Sequence, residues 1–252
     1  MMPPPAIHGP ARTALAAAAA VACVGTAVRQ LLYGGPVFSW LYFEADWTEF
    51  WALRIERGAS FALLALAPLL FWPRARAAAA LASAWLFAVA LCTSALAARH
   101  EVLQLPAQAT RWLAPLALVL PLTARLPARW LLRVAAAAVF AAHGVEALLG
   151  EPLFVDYLLG LPAGSTLGQK WAEALLRLIG GVDLLAAACI LLPKPIRLCA
   201  AWMALWGLAT ATLRVVFGGW GAWPETVVRL ANGLVPLALW LLWSPRQKDA
   251  SC

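Results

Sequence analysis

The chain alternates long apolar runs with short polar breaks, and the runs have the length of membrane spans. A helix crosses the hydrocarbon of a bilayer with about 20 predominantly apolar residues. Eight such runs are legible, over residues 12–33, 48–72, 76–98, 103–123, 129–149, 169–193, 196–217 and 225–243. The fourth is the most polar, with Gln104, Pro106, Gln108, Thr110 and Arg111 in its first half. The eighth is polar at the same end, with Arg229 and Asn232. Pro115 and Pro236, in the middle of these two runs, predict kinks.

The eight runs fall into two sets of four that repeat each other. Gly34-Gly35-Pro36-Val37-Phe38 matches Gly150-Glu151-Pro152-Leu153-Phe154 at an offset of 116 residues. Trp51 and Arg57 match Trp171 and Arg177 at 120, and Pro73-Arg74 matches Pro193-Lys194. Trp85 matches Trp206, and Pro115-Leu116-Ala117-Leu118 matches Pro236-Leu237-Ala238-Leu239, at 121. The offset drifts mostly between residues 41 and 51, where a loop is expected, as a duplicated architecture leaves it. Four spans per set bring the chain back to its starting side. The repeats are therefore expected to be parallel, related by an axis along the membrane normal, with a cleft between them suited to a site. The expected fold is an all-α integral membrane protein with eight transmembrane helices in two parallel four-helix repeats. These are residues 12–123 and 129–243, flanked by cytoplasmic tails at 1–11 and 244–252.

Composition agrees with this pattern. The chain is 63% hydrophobic and 12% charged, against roughly 25% charged residues in a soluble domain. The net charge of +7 is unevenly spread. Loops expected on one side carry Arg74 and Arg76, then Arg125, Arg129 and Arg133, then Lys194 and Arg197, and the ends add Arg12, Arg246 and Lys248. The positive-inside rule makes that side cytoplasmic and places both termini there, in a multi-pass protein of a bacterial-type cytoplasmic membrane. These bases read as topology signals and contacts to anionic lipid, with no nucleic-acid partner. Arg12 followed by an Ala/Val run has the look of a secretory leader, but the run aligns with residues 133–149 and is taken as a retained first span. Cys23, Cys92, Cys189, Cys199 and Cys252 form no C-x-x-C pair, which argues against thiol–disulfide chemistry.

Candidate chemistry lies in a polar layer within the spans. Counted up from the cytoplasmic side at about 1.5 Å per residue, Arg57, Arg177, Arg214 and Arg229 each lie roughly 21–25 Å along their helices. Glu56 and Glu146 share that height, and His143 lies slightly lower. An Arg at mid-membrane costs about 3 kcal/mol on insertion scales, and less near the ends, so four at one depth need a common explanation. One is an outward-facing pocket in which guanidinium forks hold a small anion or a polar headgroup. The other is snorkelling, with the side chains reaching the outer headgroups. The ligand-binding set expected for the pocket is Arg57, His143, Glu146, Arg177, Arg214 and Arg229. His143 and Glu146 share a helix face at i and i+3, and Glu173 can pair with Arg177 at i and i+4. Asp183, the deepest carboxylate, is a candidate for a proton relay with His143 and Glu146. No metal site is expected, because two ligands on one helix are too few. Trp40, Trp47, Trp51, Trp171, Trp220 and Trp223 fit an outer interfacial belt. Trp85 and Trp206 lie mid-span and either pack the core or flank an aromatic ligand such as a quinone ring.

The second half resembles the DoxX-like family of small four-span membrane proteins. The resemblance is carried by Arg133, Phe140, Gly144, Leu148 and Phe154, by Leu178-Ile179-Gly180-Gly181, and by the Leu-rich run to Pro193. It covers residues 130–215, and the first half joins it through the internal repeat. The family often has Lys where this chain has Ala147 and an acidic residue where it has Arg177. The resemblance implies a link to membrane oxidoreductase assemblies, since the family is similar to a subunit of thiosulfate:quinone oxidoreductase. Related members act as assembly factors or chaperones, and no catalytic residue carries over. The expected partners are the lipid bilayer and other membrane or redox subunits, and quinone is the candidate cofactor. The chain shows no haem, flavin or iron–sulfur motif. The leading expectation is a DoxX-like membrane subunit that binds a small anion, a quinone or a lipid headgroup. The alternatives are a membrane-protein assembly factor and a small-solute transporter using the cleft between repeats.

Overall fold

The computed structural model describes residues 9–98, 100–120, 125–161, 168–193 and 196–242. Most of the two tails, Lys194, Arg246 and Lys248 lie outside these residues. Every element among the described residues is helical. In chain order they are α1 (Pro10–Tyr33), α2 (Pro36–Phe43), α3 (Glu49–Leu69), α4 (Arg76–Ala95), α5 (Glu101–Ala107) and α6 (Ala109–Val119). There follow α7 (Arg125–Leu148), α8 (Pro152–Gly160), α9 (Gln169–Leu191), α10 (Ile196–Gly218), a 3-10 turn (Trp220–Ala222), α11 (Trp223–Arg229) and α12 (Ala231–Leu242).

Among the described residues six helical stretches are long and apolar enough to cross a membrane: α1, α4, α9, α10, residues Pro127–Leu148 of α7, and the composite Trp220–Leu242. Their outward faces carry large apolar side chains. Leu178, Leu185, Leu198 and Leu205 are each more than 60% exposed, a surface that water would not tolerate over such an extent and lipid would. The remaining two expected spans are more complex. α3 carries Glu49, Arg54, Glu56 and Arg57 in its first three turns, and the fourth run is divided into α5 and the short apolar α6. Pro115 and Pro236 lie inside α6 and α12. The interruptions fall instead at Gln108 and Leu230, between the polar first part and the apolar second part of each run.

Two short helices fill what the sequence pattern left as loops. α1 ends at Gly34 (φ 74°) and α7 at Gly150 (φ 73°). This left-handed conformation costs an L side chain energy and costs glycine almost nothing, so it stops the helix there. Pro36 and Pro152 then start α2 and α8, where the missing proline N–H has no helical partner to lose.

One main core runs through both halves of the chain. α1 packs on α3, and α7 packs on α9; α4 packs on α6, and α10 on α12. α1 also meets α11 and α12, and α7 meets α5 and α6. α1 approaches its neighbours through Ala14, Ala16, Ala18, Ala19, Ala22 and Ala27, all buried. Small residues serve helix contact in a bilayer, where close packing replaces the hydrophobic effect as the driving force. Between α7 and α9 the approach is closest at Gly144 and Gly180. A Cβ on Gly180 would stand 2.7 Å from the Gly144 carbonyl oxygen. Trp85 and Trp206 both pack, half-buried, against the main core.

Candidate anion-binding cavity

A polar cavity of about 290 Å³ lies where the two halves of the chain meet. Its wall draws on α1, α4, α5 and α6 from the first half and on α7, α8, α10 and α11 from the second. Two polar stripes give it its character. Gln104, Gln108 and Arg111 follow the i, i+4, i+7 spacing of one helix face, and so do Glu225, Arg229 and Asn232. The two stripes are 121 residues apart, and five of the six side chains line the cavity. Asn232, the sixth, accepts a 2.6 Å hydrogen bond from the Thr110 hydroxyl and so joins α6 to α12 just beyond the two interruptions.

Four guanidinium groups reach this cavity, those of Arg29, Arg111, Arg214 and Arg229. The carboxylates facing them are Glu146, Glu151 and Glu225, and each already has a partner. Glu225 pairs with Arg29, and lies 3.9 Å from Arg229. Glu146 lies 2.8 Å from His143 Nδ1 and accepts a 3.3 Å hydrogen bond from the Gln104 amide. Glu151 stands 3.8 Å from His100 Nε2. Arg111 donates to the Gln108 side-chain oxygen at 3.0 Å, and Arg214 lies over the Tyr157 ring, 5.0 Å from its centroid. Among the described residues neither Arg111 nor Arg214 has a carboxylate within 4.0 Å. Among the described residues the buried Nε–H groups of Arg111 and Arg229 have no hydrogen-bond partner. Buried donors without acceptors cost about 1–3 kcal/mol each, so the cavity is short of acceptors and rich in positive charge. An oxyanion supplies both deficits.

An apolar chamber of about 130 Å³ adjoins it, formed by α7 to α12. His143, Phe154, Arg214 and Arg229 belong to both walls. The chamber is lined by Phe140, Tyr157, Leu176 and Trp206, among others, and contains Asp183.

Of the residues expected from the sequence, His143, Glu146, Arg214 and Arg229 come together in the cavity, and Asp183 faces the chamber next to it. Arg57 and Arg177 do not join them, which corrects the expectation of one four-arginine layer. Both lie on exposed helix faces, and the Arg177 side chain is 63% exposed, 3.8 Å from Glu173. The reason is azimuth. Successive helical residues are turned by about 100°, and Glu56 and Leu176, the residues just before them, point inward. Glu56 is engaged elsewhere. Its carboxylate, 1% exposed, accepts the Phe38 backbone N–H at 2.9 Å and so caps the start of α2. The depth count overlooked Arg29, Arg111 and Glu225. The paired polar stripes were the signal that would have found Arg111 and Glu225. Among the described residues no group of three metal-ligating side chains gathers.

No protein-family model, no curated protein and no solved structure matches this chain.

Proposed function

We propose that the chain is a multi-pass membrane protein, similar to DoxX-like proteins, that binds an oxyanion in the cavity between its two halves. The ligand is a phosphate- or carboxylate-type group, free or on a lipid head. The observation that carries this reading is the mismatch of charge. Four arginines face three carboxylates that are already engaged, and Arg111 and Arg214 are left without a carboxylate among the described residues. Guanidinium forks suit this task because they offer paired donors in a fixed plane. A neutral quinone ring would leave the excess charge unanswered, so the quinone and redox-complex reading rests on the family resemblance alone.

The eight-span, duplicated architecture is part of the same proposal. The matching helix pairs α1–α3 and α7–α9, and α4–α6 and α10–α12, support it. The basic residues between α3 and α4 support a cytoplasmic position for that end, and with it an outward position for the cavity. Placement between the two halves also suits a transporter of the same anion, since parallel units can rock around such a site. The test is extraction from membranes of defined phosphatidylethanolamine and phosphatidylglycerol content, followed by native mass spectrometry. A retained anionic lipid or small anion that is lost on Arg229→Gln supports the reading. Retention unchanged by Arg229→Gln and by Arg111→Gln contradicts it.

A further inference from the structure

The anion reading leaves one buried group without a task. Asp183 is 6% exposed, and among the described residues its Oδ1 has no hydrogen-bond partner. Trp206 and Asp183 line the same chamber. A buried polar atom without a partner destabilises the fold. The matching position in the first half, 120 residues earlier, is Leu63, which is 1% exposed in the core. The first half thus packs this place with an apolar side chain, while the second half puts a carboxyl group there, beside a chamber. That chamber is about 130 Å³, close to the apolar cavity of about 150 Å³ that accommodates benzene. It shares a wall of four side chains with the anion cavity, and two of those are the arginines Arg214 and Arg229.

Building on the anion reading, we propose that cavity and chamber form one bipartite site for an amphiphile. Its oxyanion lies among Arg111, Arg214 and Arg229, and a ring-sized apolar group carrying a hydroxyl or N–H enters the chamber and donates to Asp183. Tyr157 sits at the junction. Its ring receives the Arg214 guanidinium on one side and stacks on Phe217 at 5.1 Å. This geometry holds Arg214 at the boundary between head and body, where it can select ligands that have both. Trp206 and Phe140 supply apolar wall, and Asp183 supplies a carboxyl group in the same lining. A hydroxyaryl phosphate has both parts, whereas a diacyl phosphate lipid has the oxyanion and an apolar chain but no donor for Asp183.

The test measures binding to the purified full-length protein in zwitterionic nanodiscs by isothermal titration. The probes are inorganic phosphate, benzyl phosphate, 4-hydroxybenzyl phosphate and dihexanoylphosphatidic acid. The expected order places 4-hydroxybenzyl phosphate at least 10-fold tighter than benzyl phosphate, and benzyl phosphate at least 10-fold tighter than inorganic phosphate. Thr210→Phe, which fills the chamber, should abolish the preference for the aryl compounds and leave inorganic phosphate unchanged. Asp183→Leu restores the residue type of the first half and should fold well; it should erase the preference for the hydroxyl alone. Tighter binding of dihexanoylphosphatidic acid than of either aryl phosphate, also lost in Thr210→Phe, shows that the chamber takes an acyl chain and overturns the donor contact to Asp183. Inorganic phosphate that binds, and is lost on Arg229→Gln, with no gain from the aryl group and no effect of Thr210→Phe, overturns the bipartite site while the anion reading stands. No binding of any probe overturns both.

Discussion

Arg12 and Arg133 close the same kind of helix end in the two halves of the chain. Arg12, near the start of α1, donates from Nη1 to the Phe71 carbonyl at 2.7 Å and from Nη2 to the Leu70 carbonyl at 3.4 Å, just past the end of α3. Arg133, in the first part of α7, donates from Nε to the Ile190 carbonyl and from Nη2 to the Leu192 carbonyl, both at 2.7 Å, at the end of α9. The last carbonyls of a helix have no partner within it and carry the negative end of its dipole. At these ends an internal donor takes the place of water for such groups. One guanidinium group on a neighbouring helix satisfies two carbonyls at once.

This relationship sets a stability difference. Hydrogen bonds to a charged donor contribute about 1.5–3 kcal/mol each. Arg133→Ala removes two short bonds from a buried site and should destabilise the protein by about 3 kcal/mol. Arg12→Ala removes one short and one long bond nearer the surface and should cost about half as much. Thermal unfolding in detergent, read by tryptophan fluorescence, checks the order. Equal and negligible effects would remove the capping account.

The contact of α7 with α9 depends on the absence of side chains at Gly144 and Gly180. Gly180→Leu should separate the two helices and cost at least about 2 kcal/mol, as overpacking of a close contact does. Gly58, on α3, has nothing within 4 Å of an added Cβ. Gly58→Ala should therefore be neutral or stabilising by up to about 1 kcal/mol, through helix propensity. Similar losses at both glycines in the same unfolding assay would show that the close approach is not what Gly180 provides.

Thr110 and Asn232 should be coupled energetically. Their buried bond joins the two interrupted helices, so Thr110→Val and Asn232→Ala should be non-additive by about 1 kcal/mol in a double-mutant cycle. Strict additivity would mean that the two helix breaks are held in place independently.

Topology gives a further prediction. In a background without native cysteines, a cysteine at position 46 should react with an impermeant maleimide on intact cells, and one at position 75 only after permeabilisation. The reverse pattern would invert the orientation and turn the cavity toward the cytoplasm.

Much of the helical layout was legible because its signals are local. The first apolar run, 12–33, became Pro10–Tyr33, and the sixth, 169–193, became Gln169–Leu191, since hydropathy and the flanking Gly and Pro residues define both ends. α2 and α8 were missed: at 8 and 9 residues they are too short for a span signal, and their Gly-x-Pro starts read equally well as turns. The site was legible in part. Depth along a helix can be counted from sequence, and it grouped His143, Glu146, Arg214 and Arg229, which line one cavity. Rotation about the helix axis depends on which neighbours the helix packs against, and it turned Arg57 and Arg177 outward. Arg29 escaped because its partner Glu225 is 196 residues away in sequence. That contact is set by the docking of α1 on α11 and by no local pattern.

The central claim is that the positive cavity, and not the shared depth of arginines, defines the site. Titration of inorganic phosphate into the purified protein and four single variants tests it most directly. Arg111→Gln, Arg214→Gln and Arg229→Gln should each weaken binding about 10-fold or more, the loss of a charge-assisted hydrogen bond being about 1.5–3 kcal/mol. Arg177→Gln, at the same depth but on an exposed face, should leave binding unchanged. Loss of binding on Arg177→Gln together with full binding in the three cavity variants would contradict the account.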